Sequence, residues 1–313
     1  LTAAFRRSNS SVPSKTFDSA LDVVTTVVSR AKAESLSGVK EPPSSVEAIA
    51  VVDVIGNLVE PVVAESAQEA ETGAGGLKGE DRINRMQAVL TDLGTALLSG
   101  VEPGSSSVVV RGSCLEVLAR RDDVSSLASN PAIALDGIKT FFVPPAALAG
   151  AGVATAVDLN AVQWCRNPFD KSALESHVSS LSLQVAGTNE SVVVAGLGAA
   201  SNARGGPSVT EMVQISLRLA QGAGVDDEGE GVISCVWWDG AKRNWSTSGC
   251  FLKRADDKSV ECLCSHLTDF AAKFTEIGNE ISSVFSGTES VTATQVTDSY
   301  VLLVSLGVLM FFY

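Results

Sequence analysis

Cys262-Leu263-Cys264-Ser265-His266-Leu267-Thr268-Asp269-Phe270 is the run from which this chain is best read. Alternate residues of a strand point to one face. Cys262 and Cys264 therefore look the same way, and each can bond to a different neighbouring strand or turn. Cys235-Val236-Trp237-Trp238 and Trp245-Ser246-Thr247-Ser248-Gly249-Cys250 precede the run and bring two more cysteines. Zinc sites usually present Cys-x2-Cys or longer knuckles. Cys262-x-Cys264 is tighter than that and the other cysteines stand alone, so disulfides are expected, with no metal and no cofactor. Trp237, Trp238 and Trp245, and Phe270 beyond them, add large side chains for a core beside the bridges. The expected result is a rigidly held final strand.

Rigidity matters because the run also carries a chemistry. The hydroxyl of Thr268 can reach the carbonyl carbon of Leu267 if the backbone is kinked there. Attack converts the Leu267–Thr268 amide to an ester, which water then hydrolyses. A threonine hydroxyl is a poor nucleophile at neutral pH and needs a base. His266, two residues upstream, can take the proton. The chain has one other histidine, His177, far away in sequence. The expectation is a single self-cleavage in cis between Leu267 and Thr268, with Thr268 as nucleophile and His266 as base. Such a chain is not a turnover enzyme.

Upstream, the first third reads as helical. From Thr16 to about Ala33, Phe17, Leu21, Val24, Val28 and Ala31 recur at helical spacing. Ser44-Ser45-Val46-Glu47 has the form of a capping box before Ala48–Ala64, and Pro61 is expected to kink or end that helix. Residues 71–79 read as a loop. A third helix is expected from Glu80 to Ser99, with Ile83, Met86, Leu90, Leu93 and Leu97 on one stripe. Beyond Glu102-Pro103-Gly104 short β-like runs take over at 108–110, 141–143, 181–185, 192–194 and 213–219, separated by Gly, Asn and Pro. The stretch 146–161 is too rich in Ala and Gly to assign. The acidic stretch 221–231 lacks the alternating oxygen ligands of an EF-hand. The fold class is thus α+β: a helical subdomain over 1–104, then a mostly antiparallel β-sandwich over 105–277. A linker over 278–298 and the start of a transmembrane helix over 299–313 are expected to follow.

Bulk properties agree. Of 313 residues, 45% are hydrophobic and 19% charged, enough for a sizeable core. The net charge of −13 argues against a nucleic-acid partner, which demands clustered Lys and Arg. The chain starts at Leu1 without a signal peptide and ends in the uncharged run Tyr300–Tyr313, as a piece of a longer membrane protein would. Six cysteines suit an oxidising compartment. N-x-Ser sequons at Asn9, Asn189 and Asn244 are glycosylation candidates that point to the same extracellular or lumenal side.

Cys235…Trp237-Trp238…Trp245-Ser246…Gly249-Cys250…Cys262-x-Cys264-x-His266-Leu267-Thr268-x-Phe270 resembles the GPCR proteolysis site of GAIN domains, the self-cleaving modules of adhesion receptors and polycystins. The motif spans 235–274, and the helices-then-strands order extends the likeness upstream. The resemblance implies disulfides Cys235–Cys262 and Cys250–Cys264, and a cut after Leu267 by Thr268 with His266 as base. It also implies that the C-terminal fragment stays bound without a covalent link, and it makes the cell membrane the expected location. Lys273 interrupts the apolar strand usual after the nucleophile in adhesion receptors, and roughly 30 residues separate Thr268 from Tyr300. Both features favour a polycystin-like parent. The alternatives are the same module in an adhesion receptor, a GAIN-type adhesion or mechanical spacer that does not cut, and a secreted binding domain. The extracellular ligand and the pairing of Cys114 and Cys165 stay open.

Overall fold

A computed structural model describes residues 14–38, 41–72, 77–129, 131–135, 138–150, 156–170, 174–188, 190–194, 197, 212–219 and 231–276. Leu1–Val225 with Ile233–Lys273 make one compact unit; Asp226–Val232 with Phe274–Tyr313 make a second. Asn9, Asn189, the acidic stretch at 221–230, the linker and the C-terminal apolar run lie outside the described residues. Among the described residues no helix is long and apolar enough to cross a membrane.

Three long helices come first: α1 (Ser14–Leu36), α2 (Ser45–Thr72) and α3 (Leu77–Leu97). Their apolar stripes are buried: Phe17, Leu21, Val24 and Val28 on α1, and Ile83, Met86, Leu90, Leu93 and Leu97 on α3. Arg82 of α3 clamps Asp18 of α1 through two bonds of 2.9 Å and lies 4.7 Å above the Phe17 ring. The capping box forms as its sequence implies. The Ser44 amide donates to Glu47 Oε2 at 2.9 Å, and the Glu47 amide donates to Ser44 Oγ at 3.3 Å. Pro61, however, does not end α2, which continues to Thr72. A proline inside a helix costs about 3 kcal/mol. Buried Leu58, Val59 and Val62 around it offset that cost by packing. The loop expected at 71–79 is correspondingly short, since α3 begins at Leu77.

Among the described residues twelve strands follow: β1 (Val108–Arg111), β2 (Leu115–Asp123), β3 (Ala132–Leu135), β4 (Ile138–Phe142), β5 (Ala156–Trp164), β6 (Val178–Val185), β7 (Val213–Arg218), β8 (Gly231–Asp239), β9 (Asn244–Ser246), β10 (Cys250–Ala255), β11 (Ser259–Cys264) and β12 (Asp269–Glu276). Two short helices, α4 (Val124–Ser129) and α5 (Pro145–Gly150), sit between them. One sheet has the order β1-β2-β5-β6-β12-β8-β9 and the other β10-β11-β7-β4-β3. The fold is therefore α+β, a helical region followed by two antiparallel sheets.

The seven-stranded sheet is covered on both faces. On one, Leu115, Val117, Val162, Trp164 and Ala271 join the core of the helices. On the other, Phe270 of β12 meets Phe141 of β4 in the opposite sheet, ring centroids 6.5 Å apart at 58°. Alternation along β12 thus sends Phe270 into the sandwich and Ala271 toward the helices.

Among the strands that the sequence reading does not anticipate are β2 and β5. Leu115-Glu-Val-Leu-Ala-Arg-Arg-Asp-Asp123 hides its alternation behind charge. Arg121 bonds both carboxylate oxygens of the buried Asp158 on β5, at 2.6 and 2.8 Å. β5 itself emerges from the Ala- and Gly-rich stretch left unassigned. Conversely, the strand expected at 192–194 is no regular strand. An isolated bridge, Ser191 to Gln184, the bond from the Val192 amide to the Leu183 carbonyl (2.8 Å) and the one from the Val185 amide to the Glu190 carbonyl (2.9 Å) tie its start to β6. Lys273 lies within β12, half-buried, so the strand continues past it.

Candidate functional site

β11 belongs to one sheet and β12 to the other. The residues between them, 265–268, are a crossover between sheets, and this is where Ser265-His266-Leu267-Thr268 falls. The chain bends at 265, 266 and 268 as it crosses, and its polar groups need partners outside any ladder. The Ser265 amide donates to the Gly249 carbonyl at 2.9 Å, and the Leu197 amide donates to the Ser265 carbonyl at 3.0 Å. The Leu267 amide donates to the Val194 carbonyl at 3.2 Å, and the Leu181 amide to the Thr268 carbonyl at 3.4 Å. The chain is thus held on both sides of the Leu267–Thr268 bond. The irregular 192–194 segment supplies one of these partners, which explains why it is not occupied in a sheet.

Cysteine bridges anchor the upstream side. Cys250 and Cys264 face each other across the β10–β11 ladder and are bonded, Cα atoms 4.2 Å apart. Cys235 on β8 is bonded to Cys262 on β11, tying the two sheets together. A third bridge joins Cys114 to Cys165 at the ends of β2 and β5. Gly249, ahead of Cys250, has φ +74°, a conformation glycine adopts without strain. A Cβ there would also sit 2.5 Å from Ser265 Oγ, so the turn can approach the crossover only because that residue is glycine.

His266 is wedged between two rings. It stacks on Phe270 with centroids 5.8 Å apart and planes 9° from parallel, and Trp237 meets it edge-on at 4.5 Å. Its sequence context puts Trp237 in the core. It is instead half-exposed, donates its indole N–H to the Ser248 carbonyl at 2.7 Å, and walls the imidazole. Burial pushes the His266 pKa below the ordinary imidazole value, while the Ser248 carbonyl beside it pulls the other way. The ring is therefore neutral at physiological pH. Its Nε2 is buried and bonded to no protein atom. A buried acceptor without a partner costs stability and is characteristic of a functional position.

Trp238 and Trp245 lie elsewhere, in an aromatic cluster with Phe169 at centroid distances of 4.8 and 5.7 Å, against the helical core. His177 approaches Gln163, Nδ1 to Nε2 at 3.4 Å. Asn244 opens β9 with its side chain exposed. Among the described residues there is no group of three or more His, Cys, Asp or Glu able to hold a metal.

Sequence reasoning passed over Asp269. Its carboxylate accepts from the Ser180 hydroxyl of β6 and from Gln87 Nε2 of α3, the latter at 2.9 Å. Burial pushes its pKa up, and the two donors moderate the rise. An acid at the head of the apolar run Phe270-Ala271-Ala272, directly after Thr268, is the available signal. Gln87 and Ser180 carried none, because only the tertiary fold brings α3 and β6 to this point. Taken together, the crossover between sheets, the paired cysteines and the walled imidazole accord with one known module. Residues 167–272 match the family model described as GPS, GAIN subdomain B, so the chain carries a GAIN/GPS module, in general an autoproteolytic, extracellular and membrane-proximal one.

Proposed function

We propose that this chain cuts itself once, between Leu267 and Thr268, and that the two pieces remain together. Thr268 Oγ attacks the Leu267 carbonyl carbon, and its proton passes to His266 Nε2. The C–N bond then breaks, His266 returns the proton to the Thr268 nitrogen, and an ester links Leu267 to Thr268 Oγ. Water hydrolyses the ester, leaving a carboxylate on Leu267 and a new N-terminus at Thr268. The observation that supports this reading best is the neutral imidazole with an unpartnered Nε2, two residues from a hydroxyl in a doubly anchored crossover. Anchoring of this kind favours a near-attack geometry.

Retention of the fragment rests on β12. It lies between β6 and β8, its Phe270, Ala271 and Ala272 are fully buried, and the Ala272 amide donates to Ser176 Oγ at 2.8 Å. The fragment's membrane attachment through Tyr300–Tyr313, a cell-surface location with glycosylation at Asn9, Asn189 and Asn244, and an extracellular ligand belong to the same proposal. A polycystin-like parent is favoured over an adhesion receptor by Lys273 within β12 and by the distance from Thr268 to Tyr300. The test is a denaturing gel of the secreted chain beside Thr268→Ala, with N-terminal sequencing of the small fragment. A fragment starting at Thr268 in the wild type and absent from the variant is expected. One intact band in both leaves a non-cutting spacer, and an identical cut in Thr268→Ala sinks the mechanism.

A further inference from the structure

The ester step needs a water molecule, and the residues around the bond leave a place for one. Between α3 and the seven-stranded sheet lies a pocket of about 330 Å³ whose wall includes Leu267, Thr268 and Asp269. Thr91 of α3, Asn160 of β5 and Ser182 of β6 line it as well. That volume holds more than one water, since a single water needs roughly 10–15 Å³ of such space.

One of these side chains calls for a partner. Asn160 is 2% exposed, and neither its amide nitrogen nor its oxygen is bonded to any protein atom. It is pressed against α3 so closely that a Cβ on Gly94 would fall 1.7 Å from its Oδ1. Buried amide groups left in this state are normally satisfied by ordered water. Asp269 borders the same space and is the residue next to the ester oxygen. Ser180 and Gln87 both bond its Oδ1, fixing the carboxylate in place.

We propose that this pocket is the hydrolysis chamber of the self-cleavage reaction, with Asn160 holding the water and Asp269 acting as its general base. The proposal rests on the self-cleavage reading above. Water oxygen bonds to the Leu267 carbonyl carbon of the ester as its proton passes to the Asp269 carboxylate. The tetrahedral intermediate then collapses, the bond from carbon to Thr268 Oγ breaks, and Asp269 returns the proton to that oxygen. The carboxylic acid formed on Leu267 loses its proton to the freed Thr268 amine. His266 and Asp269 thus divide the reaction, the first serving the acyl shift and the second the hydrolysis. Burial, by making the Asp269 carboxylate more basic than an exposed one, suits it to that work.

The experiment follows the newly made chain under oxidising conditions, with and without hydroxylamine, a small nucleophile that cleaves esters and leaves a hydroxamate on Leu267. Asp269→Asn keeps an oxygen for Ser180 and Gln87 and removes only the base. Asn160→Leu has nearly the same shape and removes two unsatisfied polar atoms, so it folds even if the first variant does not. Loss of a general base slows a step by about 100-fold or more. Both variants are expected to accumulate the ester, which hydroxylamine then splits at Leu267 at the wild-type rate of cutting. Variants that cut as fast as the wild type overturn the chamber and leave self-cleavage standing. Folded variants that neither cut nor yield a hydroxamate also overturn it, because the block then precedes the ester. A wild-type chain that never cuts and never yields a hydroxamate overturns both readings.

Discussion

Phe141→Ala separates cutting from holding. Phe141 sits on β4 in the five-stranded sheet, 1% exposed, and touches the C-terminal fragment through Phe270. Its ring is one contact removed from His266, through Phe270, which keeps its own stack on the imidazole, so the cut itself should proceed. Removing a buried phenylalanine ring costs about 3–5 kcal/mol in all, but only the share facing Phe270 weakens the fragment's hold. An aromatic pair is worth about 1 kcal/mol beyond its area. Uncovering roughly 40 Å² of the Phe270 ring at about 25 cal/mol per Å² adds about 1 kcal/mol. A loss of about 2 kcal/mol corresponds to roughly 30-fold weaker retention. The assay immobilises the cut protein through an N-terminal tag, washes it in graded urea, and reads how much small fragment remains. The variant should release its fragment at lower urea than the wild type, with the same fraction cut beforehand. Equal retention, alongside a lowered melting temperature, would refute the idea that Phe270 between the sheets anchors β12.

Trp237→Phe keeps a ring against His266 but removes the indole donor from the Ser248 carbonyl, leaving that carbonyl to the imidazolium. The His266 pKa should rise, and because cutting needs the neutral ring, its acid limb should move to higher pH; an unchanged or lowered limb argues against His266 as base. In the wild type the folded pKa lies below the unfolded value of 6.5, so the unfolded chain takes up the proton first and stability falls as pH drops through that window. Trp237→Phe should flatten that slope in chemical denaturation. Cys250→Ser opens a bridge spanning 14 residues, worth about 3 kcal/mol in a loop of this size; the fraction cut should fall while the helical circular dichroism signal persists, and undiminished cutting would show that β11 is held without it. Gly94→Ala places a methyl on Asn160 and should cost about 1–3 kcal/mol by overpacking; an unchanged melting temperature would mean that α3 is free to shift off the sheet.

Helical stripes, the capping box and the cysteine–tryptophan–histidine pattern are local or periodic, and all were legible in the chain. Phe17, Leu21, Val24 and Val28 are buried as their spacing implies, because a helix places residues three and four apart on one side whatever surrounds it. Strands were harder. β2 is hidden by Arg120, Arg121, Asp122 and Asp123, since a half-buried arginine paired with the buried Asp158 breaks the apolar alternation on which such reading depends. The 192–194 run has the β-branched residues of a strand and a different use, lending a carbonyl to Leu267. Pro61 failed as a stop because packing on either side outweighs one missing hydrogen bond.

For the site, the chain alone named the residues of the bond proposed to be cut, the histidine beside it and the cysteines around it, since these lie close together along the sequence. It could not place Trp237 against His266, Gln87 and Ser180 on Asp269, or Asn160 beside Gly94. Those meetings join residues of α3, β5, β6 and β8 with the crossover. Each depends on which strand pairs with which and on α3 lying across the seven-stranded sheet. Burial, too, is a property of the assembled layers: it holds His266 neutral and raises the Asp269 pKa, and no residue type encodes it.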